Sequence, residues 1–157
     1  MMAFLHQDSE ETRFSLHDCR ADRVELKDGM LSFFFPDGFW VTAEHPENLT
    51  GNIVRTGPAR VDYVLRRDDG DDVSVSVFRK LRWPWSLRTK WELPKLLEVL
   101  NEKHWQLEFL YQYPGGWDRI IEGWFWFQKK PWHYECQLKL DVQEVRYCWE
   151  ELTDRQW

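Results

Sequence analysis

The residues best suited to chemistry lie in an aromatic stretch at residues 120–128 and in the stretch that follows it. In an extended chain alternate side chains point to the same side, so two tryptophans of the first stretch share a side with its polar residues. The second stretch alternates in the same way, and we expect the two to pair as strands. Their shared side, called here the aromatic face, consists of Glu122, Trp124, Trp126, Gln128, His133 and Glu135.

Indole rings bordered by amides and carboxylates suit two kinds of ligand. Tryptophan dominates the energetics of many protein interfaces, so the aromatic face can anchor a protein partner. The C–H side of a sugar ring also packs on indoles while its hydroxyls bond to the polar border. A third interpretation is structural, with the helix or the segment at 79–91 covering this face. The exposure of Trp124 and Trp126 separates these interpretations.

A second candidate is the basic, tryptophan-rich segment at residues 79–91, which carries five cations and no acid. Cations beside indoles suit a phosphate backbone with stacked bases, or a membrane interface. The alternative is a crossover from strand to helix whose tryptophans fill the edge of the core. The sequence favours the crossover, because five cations alone give weak, salt-sensitive attraction. The residues concerned are Arg82, Trp83, Trp85, Arg88 and Trp91.

Nucleophile and metal sites find little support in the sequence. Residues 15–19 contain Ser15, His17, Asp18 and a cysteine, but neighbours on an extended chain point apart, whereas a triad converges from separate elements. We therefore expect His17 and Asp18 to bond a turn or cap a strand. The chain has no CxxC, HExxH or glycine-rich phosphate loop. The sequence therefore predicts no metal site, no cofactor and no enzymatic activity.

Length and composition bound the class of protein. The chain has 157 residues, about one domain, and its aromatic share of 17% excludes a disordered chain. No uncharged run approaches the ~20 apolar residues that a membrane-spanning helix needs. The net charge of −6 disfavours wholesale binding to nucleic acid or to anionic membranes, although the basic segment can still act locally.

The cysteines and the N-terminus indicate the compartment. Three cysteines are too few for a disulfide framework, which favours a reduced environment. The first residues have no basic region followed by an apolar one, so no signal peptide is predicted. We expect a cytoplasmic protein.

A period of two dominates the chain and predicts strands. We expect a three-strand meander at 23–27, 31–35 and 39–43, then a hairpin joining 59–65 to 73–77 through a charged turn at 66–71. Leucines three and four residues apart predict one helix at about 93–103, with Pro94 in its first turn. Further strands are expected within 105–113, 120–128, 132–141 and 142–149. The fold class is mainly β: a single domain over 1–157, built as an antiparallel sandwich or flattened barrel of about eight or nine strands with one helix.

The run Leu16-His17-Asp18-Cys19, followed by Val24-x-Leu26 and Leu31-x-Phe33-x-Phe35, resembles the opening of several small bacterial families. These include uncharacterised β-rich proteins and immunity proteins that neutralise polymorphic toxins. The resemblance covers residues 14–41, about a quarter of the chain. It implies a bacterial, non-catalytic domain that binds another protein, and it suggests a role for His17 and Asp18.

The sequence thus yields a leading hypothesis and two alternatives. The leading one is a non-enzymatic protein that binds a protein partner, or a second copy of itself, through the aromatic face. An acidic surface with indole anchors suits a basic partner, since opposite charge speeds encounter. The runner-up is a carbohydrate-binding module that uses the same indoles. Contact with nucleic acid or membrane through residues 79–91 ranks last.

Overall fold

A computed structural model of the chain describes residues 3–67 and 71–157. It contains two antiparallel sheets, of ten and four strands, and one helix, which confirms the predicted mainly β class. The larger sheet does not close into a barrel, and many strands have only two or three residues, so there are more than the eight or nine expected. The elements are β1 (His6–Asp8), β2 (Phe14–Ser15), β3 (Cys19–Ala21), β4 (Arg23–Lys27), β5 (Met30–Phe35), β6 (Trp40–Val41), β7 (Val54–Thr56), β8 (Ala59–Leu65), β9 (Val73–Lys80), β10 (Ser86–Trp91), α1 (Leu93–Asn101), β11 (Gln106–Gly115), β12 (Asp118–Trp126), β13 (His133–Trp149) and β14 (Leu152–Gln156).

The seventeen-residue strand β13 organises the larger sheet. Its first half lies between β12 and β9, and its second half pairs with β8 and, over three residues, with β1. An irregularity between Val142 and Glu144 interrupts the pairing with β8. On each side of this irregularity β13 alternates buried and more exposed residues, with the phase shifted by one residue between Val142 and Val145, so both halves of the strand supply core.

The predicted hairpin between 59–65 and 73–77 is wrong. Both segments are strands, β8 and β9, but they follow one another along the same edge of β13 instead of pairing with each other. Where they meet, the buried Asp72 accepts a hydrogen bond from the backbone N–H of Arg67, and its own carbonyl accepts one from Asp141 of β13. The remainder of the predicted charged turn, residues 68–70, lies outside the described residues.

The predicted meander is correct for its first two strands and wrong for its third. β4 and β5 form a hairpin through Asp28 and Gly29, which both have positive φ as such a turn requires. After Gly38 (φ +72°) the chain leaves this sheet, and Phe39 instead exchanges hydrogen bonds with Thr56. A side chain at Gly38 would collide with Thr56, so the close approach of the two segments requires glycine there. β6 therefore belongs to the small sheet, and β8 takes its place beside β5.

The helix α1 begins where the sequence predicts and ends two residues earlier. Its buried side chains are Leu93, Leu96, Val99 and Leu100, and they belong to the single core cluster that also contains the inner residues of both sheets. Trp91 and Trp105 flank the helix and pack on Phe125 of β12, with ring centroids 5.2 and 6.2 Å away. The helix thus covers the inner side of the larger sheet. Over residues 3–67 and 71–157, no helix is long and apolar enough to cross a bilayer.

Candidate functional site

The strand register gathers the predicted face on the outer side of β11, β12 and β13. Three cross-strand rows form it: Gln106, Trp126 and His133; Glu108, Trp124 and Glu135; and Tyr111, Glu122 and Gln137. Each row is an alignment of directly opposed residues, whose side chains lie close enough to interact. Gln128 lies outside these rows, because β12 ends at Trp126 and Gln128 is exposed in the turn that follows.

An aromatic cluster forms the centre of the face. The rings of Trp124 and Trp126 meet edge to face at 5.5 Å, and the His133 ring lies 4.7 Å from one and 4.9 Å from the other. All three side chains are half-buried. They are neither core residues nor fully exposed ones, because they shield one another on a side of the sheet that α1 does not cover.

Trp126 is held from two directions. Its indole N–H donates a 2.6 Å hydrogen bond to the Glu108 carboxylate, which is buried although it lies on the outer side of the sheet. The Arg20 guanidinium stacks 4.5 Å above the same indole and comes within 3.9 Å of Glu108. Charge and hydrogen bonding thus fix the orientation of the indole ring.

Arg20 is a member of the site that sequence reasoning missed. It reaches the cluster because the three-residue strand β3 pairs with β11 and sets Arg20 opposite Glu108. Strand β9 contributes on the other side, where Phe78 lies opposite Glu135. Alternation predicts which side of a sheet a residue faces but not which strands lie next to each other. The sequence therefore did not predict that β3 and β9 border the cluster.

Acidic groups border the cluster. Glu135 forms an exposed ion pair with Lys80 at 3.2 Å. Glu122 lies between the indoles and two exposed tyrosines, Tyr111 and Tyr113. Desolvation and the neighbouring Glu122 carboxylate raise the pKa of Tyr113, whose hydroxyl is protonated at neutral pH in any case and can donate a hydrogen bond. The border thus offers donors and carboxylates beside a rigid aromatic centre.

The basic segment is a hairpin, so the predicted crossover is wrong. β9 and β10 pair from Lys80 opposite Ser86 to Val75 opposite Trp91. Trp83 and Trp85 lie at its turn, 90% and 72% exposed, and do not fill the core edge. Trp-Pro-Trp between two alternating stretches is a turn signal that explains the reversal.

The other residues of the basic segment divide between the two sides of this hairpin. Trp91 lies on the inner side and packs against the core, as predicted. Arg82 and Arg88 are exposed, and the Arg88 guanidinium donates to the hydroxyl of Ser76.

His17 and Asp18 bond a turn, as expected. The His17 ring donates from Nδ1 to the Leu110 carbonyl at 2.6 Å, and its Nε2 lies 3.4 Å from the Asp18 carboxylate. Asp18 has positive φ (60°), and its backbone N–H donates to Phe109. These contacts fasten the turn between β2 and β3 to β11, at the irregularity between Phe109 and Tyr111.

The cysteines are buried and unbridged. Burial raises the pKa of Cys19 to about 12 and, together with the Asp62 carboxylate, that of Cys148 to about 11; burial also raises the pKa of Cys136. Thiols in this state form little thiolate, the nucleophilic form, at neutral pH. Among the described residues, no group of three or more His, Cys, Asp or Glu side chains is placed to hold a metal ion.

Fold and site together define a mainly antiparallel β protein with one helix and a partly accessible aromatic cluster on its larger sheet. No protein-family model matches the chain, and searches of curated proteins and of solved structures found no match either. The resemblance of residues 14–41 to immunity-type families therefore stays an expectation.

Proposed function

We propose that the chain is a non-catalytic binding protein that engages a basic protein partner through the aromatic face. The observation that carries this proposal is the cluster of Trp124, Trp126 and His133, which is half-buried and partly accessible on the side of the sheet opposite the helix. Tryptophan, tyrosine and arginine are the residue types that dominate protein interfaces, and all three meet here.

Rigidity supports an anchoring role. Trp126 is fixed by its hydrogen bond to Glu108 and by Arg20, and Trp124 is fixed between Trp126 and His133. Side chains ordered before binding lose less conformational entropy when a partner arrives. Tyr111 and Tyr113 extend the aromatic surface along β11, and both are about half-exposed.

Charge supports a basic partner over a second copy of the chain. The net charge is −6, and Glu122 and Glu135 border the indoles. Opposite charge accelerates encounter, whereas two copies of a chain with this net charge repel each other. Self-association is therefore an outcome of the test that would contradict the proposed partner.

The same geometry favours a protein over a sugar. A sugar platform needs an open ring face, but Arg20 covers Trp126 and the His133 ring packs against both indoles. Arg20 and His133 thus restrict access to the Trp126 ring, which suits an irregular protein surface better than a flat sugar ring.

The test compares Trp124→Ala with Trp117→Ala, which removes an exposed tryptophan from the turn between β11 and β12. Proteins that the wild-type chain captures from lysate after nuclease treatment are purified, and their affinities are measured directly. A central tryptophan contributes about 2 kcal/mol or more, so we expect Trp124→Ala to weaken binding at least about 30-fold. Trp117→Ala should bind as the wild type does, and circular dichroism confirms that both variants are folded.

Three results would contradict the proposal. A partner that binds wild type and Trp124→Ala equally would place the interface elsewhere. A dimer that depends on Trp124 would replace the foreign partner by a second copy. Material that disappears with nuclease, leaving no protein bound directly, would remove the partner altogether.

A further inference from the structure

Two turns leave the larger sheet side by side at one end. The first, residues 81–85, joins β9 to β10, and the second, residues 127–132, joins β12 to β13. β9 pairs with β13, with Phe78 opposite Glu135, so Lys80 is level with His133, where β13 begins. Both turns therefore project from adjacent hairpins at the same level. We call them together the tip surface.

The tip surface exposes large apolar side chains. Trp83 is 90% exposed and Trp85 72%, with Leu81 beside them in the same turn, and Trp132 is half-exposed in the second turn. Soluble proteins seldom display contiguous apolar residues of this size without a ligand for them. Within each turn the backbone bonds to itself, from Leu81 to Trp85 and from Phe127 to Trp132, so the side chains point away from closed turns.

Positive charge surrounds these apolar residues. Stretches 79–88 and 127–133 contain six cations and no acid, in a chain whose net charge is −6, so the rest of the chain carries −12. All six cationic residues are exposed: Arg79, Lys80, Arg82, Arg88, Lys129 and Lys130. The one described ion pair among them joins Lys80 to Glu135, at the base of the hairpin.

We propose that the tip surface docks on an anionic lipid bilayer, with its indoles at the headgroup level. Tryptophan prefers this depth because its ring is apolar while its N–H still reaches water and headgroups. Leucine adds apolar area that enters the acyl boundary, and lysine and arginine bind anionic headgroups. Cations lie within both turns and in the strands behind them, so apolar side chains and positive charge reach the bilayer surface together.

The same residues fit nucleic acid less well. A single-stranded chain stacks on aromatic rings set along a cationic groove, whereas these indoles stand at the ends of turns. Leu81 and Leu87, both about half-exposed, have no counterpart on a nucleic acid. A phosphate chain that continued past the turns along the outer side of the sheet would also meet Glu122 and Glu135, which repel it.

The test is sedimentation with vesicles, which does not depend on the proposed protein partner. Wild-type protein is mixed with phosphatidylcholine vesicles that contain about a quarter phosphatidylserine, or none, at about 0.1 M salt, where screening acts over about 10 Å. We expect binding to the anionic vesicles at least about tenfold tighter than to the neutral ones, and weakening as salt rises.

Two double variants locate the contact. Trp83→Ser with Trp85→Ser removes the apolar apex, and Lys129→Glu with Lys130→Glu reverses charge in the neighbouring turn. Each is expected to reduce vesicle binding about tenfold or more. Trp117→Ser is the matched control, because Trp117 is also an exposed tryptophan (59%) beside an arginine, Arg66, but lies at the other end of the same strands. We expect this variant to bind vesicles as the wild type does.

Several outcomes would overturn the proposal. Wild-type protein that stays in solution with anionic vesicles refutes it, as does a tryptophan double variant that binds like wild type. Retardation of a single-stranded oligonucleotide without vesicle binding would assign the surface to nucleic acid. Circular dichroism confirms folding, and if the charge-reversal variant fails to fold, the tryptophan variant still decides the question. Trp124→Ala should bind vesicles normally, so failure here and failure of the proposed function are distinguishable.

Discussion

Replacing Gly123 by alanine tests the register on which the aromatic face depends. Gly123 lies in β12 between Glu122 and Trp124, opposite Phe109 of β11. A Cβ there would stand far closer than 3.0 Å to the backbone carbonyl oxygen of Glu108, and 3.2 Å from its carbon. Because the obstacle is backbone, no side-chain rotation relieves the collision.

The cost follows from what must move. The two strands have to separate by about an ångström, and Glu108 is flanked in β11 by Leu107 and Phe109, which are fully buried. Overpacking of this kind costs about 1–3 kcal/mol, and a strained ladder hydrogen bond adds about 1 kcal/mol. A loss of about 3 kcal/mol lowers the Tm of a chain of this size by roughly 6–12 °C.

Thermal unfolding followed by circular dichroism measures the effect, with Gly115→Ala at the end of the paired strand β11 as the control. Nothing lies within 4 Å of a Cβ at Gly115, so that variant should unfold within a degree or two of wild type. If Gly123→Ala unfolds at the wild-type temperature, β11 and β12 do not pair in this register, and Trp124 does not stand beside Glu108.

Two further predictions concern stability. Asn101→Ala removes the side-chain amide that donates to the Val24 carbonyl and accepts from the Val24 N–H. Because these backbone groups of Val24 are then left unpaired, we expect the free energy of unfolding in urea to fall by about 1–3 kcal/mol, and an unchanged midpoint would contradict the pairing. Burial opposes ionisation of Asp8, but hydrogen bonds from Glu10 and Arg13 outweigh it and lower its pKa. The stabilisation that Asp8 gives relative to Asp8→Asn should therefore be complete above its ordinary pKa of 3.8 and disappear as pH falls through the lowered value; a pH-independent difference would contradict this.

Local signals predicted the parts of the fold that local chemistry decides. The Asp28-Gly29 turn fixes the β4–β5 hairpin because both residues accept positive φ. The leucine periodicity and Pro94 fix the start of α1 for similarly local reasons. Alternation also predicted which residues of β12 and β13 share the outer side of the sheet, since every second side chain of a strand points to the same side.

Partner choice between distant strands left no comparable signal. β8 and β9 alternate as a hairpin pair would, yet both pair with β13, whose length of seventeen residues lets it accept two strands in succession. The third strand of the expected meander left its sheet because Gly38 permits a close approach to Thr56. Arg20 joined the aromatic face for the same kind of reason, through a three-residue strand.

The two proposed surfaces share strands but face in different directions. The aromatic face lies on the side of β11, β12 and β13, whereas the tip surface lies at the end where β13 begins. If the tip surface binds a bilayer, the aromatic face is roughly perpendicular to the membrane and accessible to a partner protein beside it. Lys80 lies between the two surfaces, since it directly precedes the first turn and its ammonium lies 3.2 Å from Glu135. Lys80→Ala removes a cation beside the tip surface and frees the Glu135 carboxylate, so it should weaken vesicle binding without weakening the binding of a basic partner. Changes at Trp83 or Trp124 should likewise affect only one of the two.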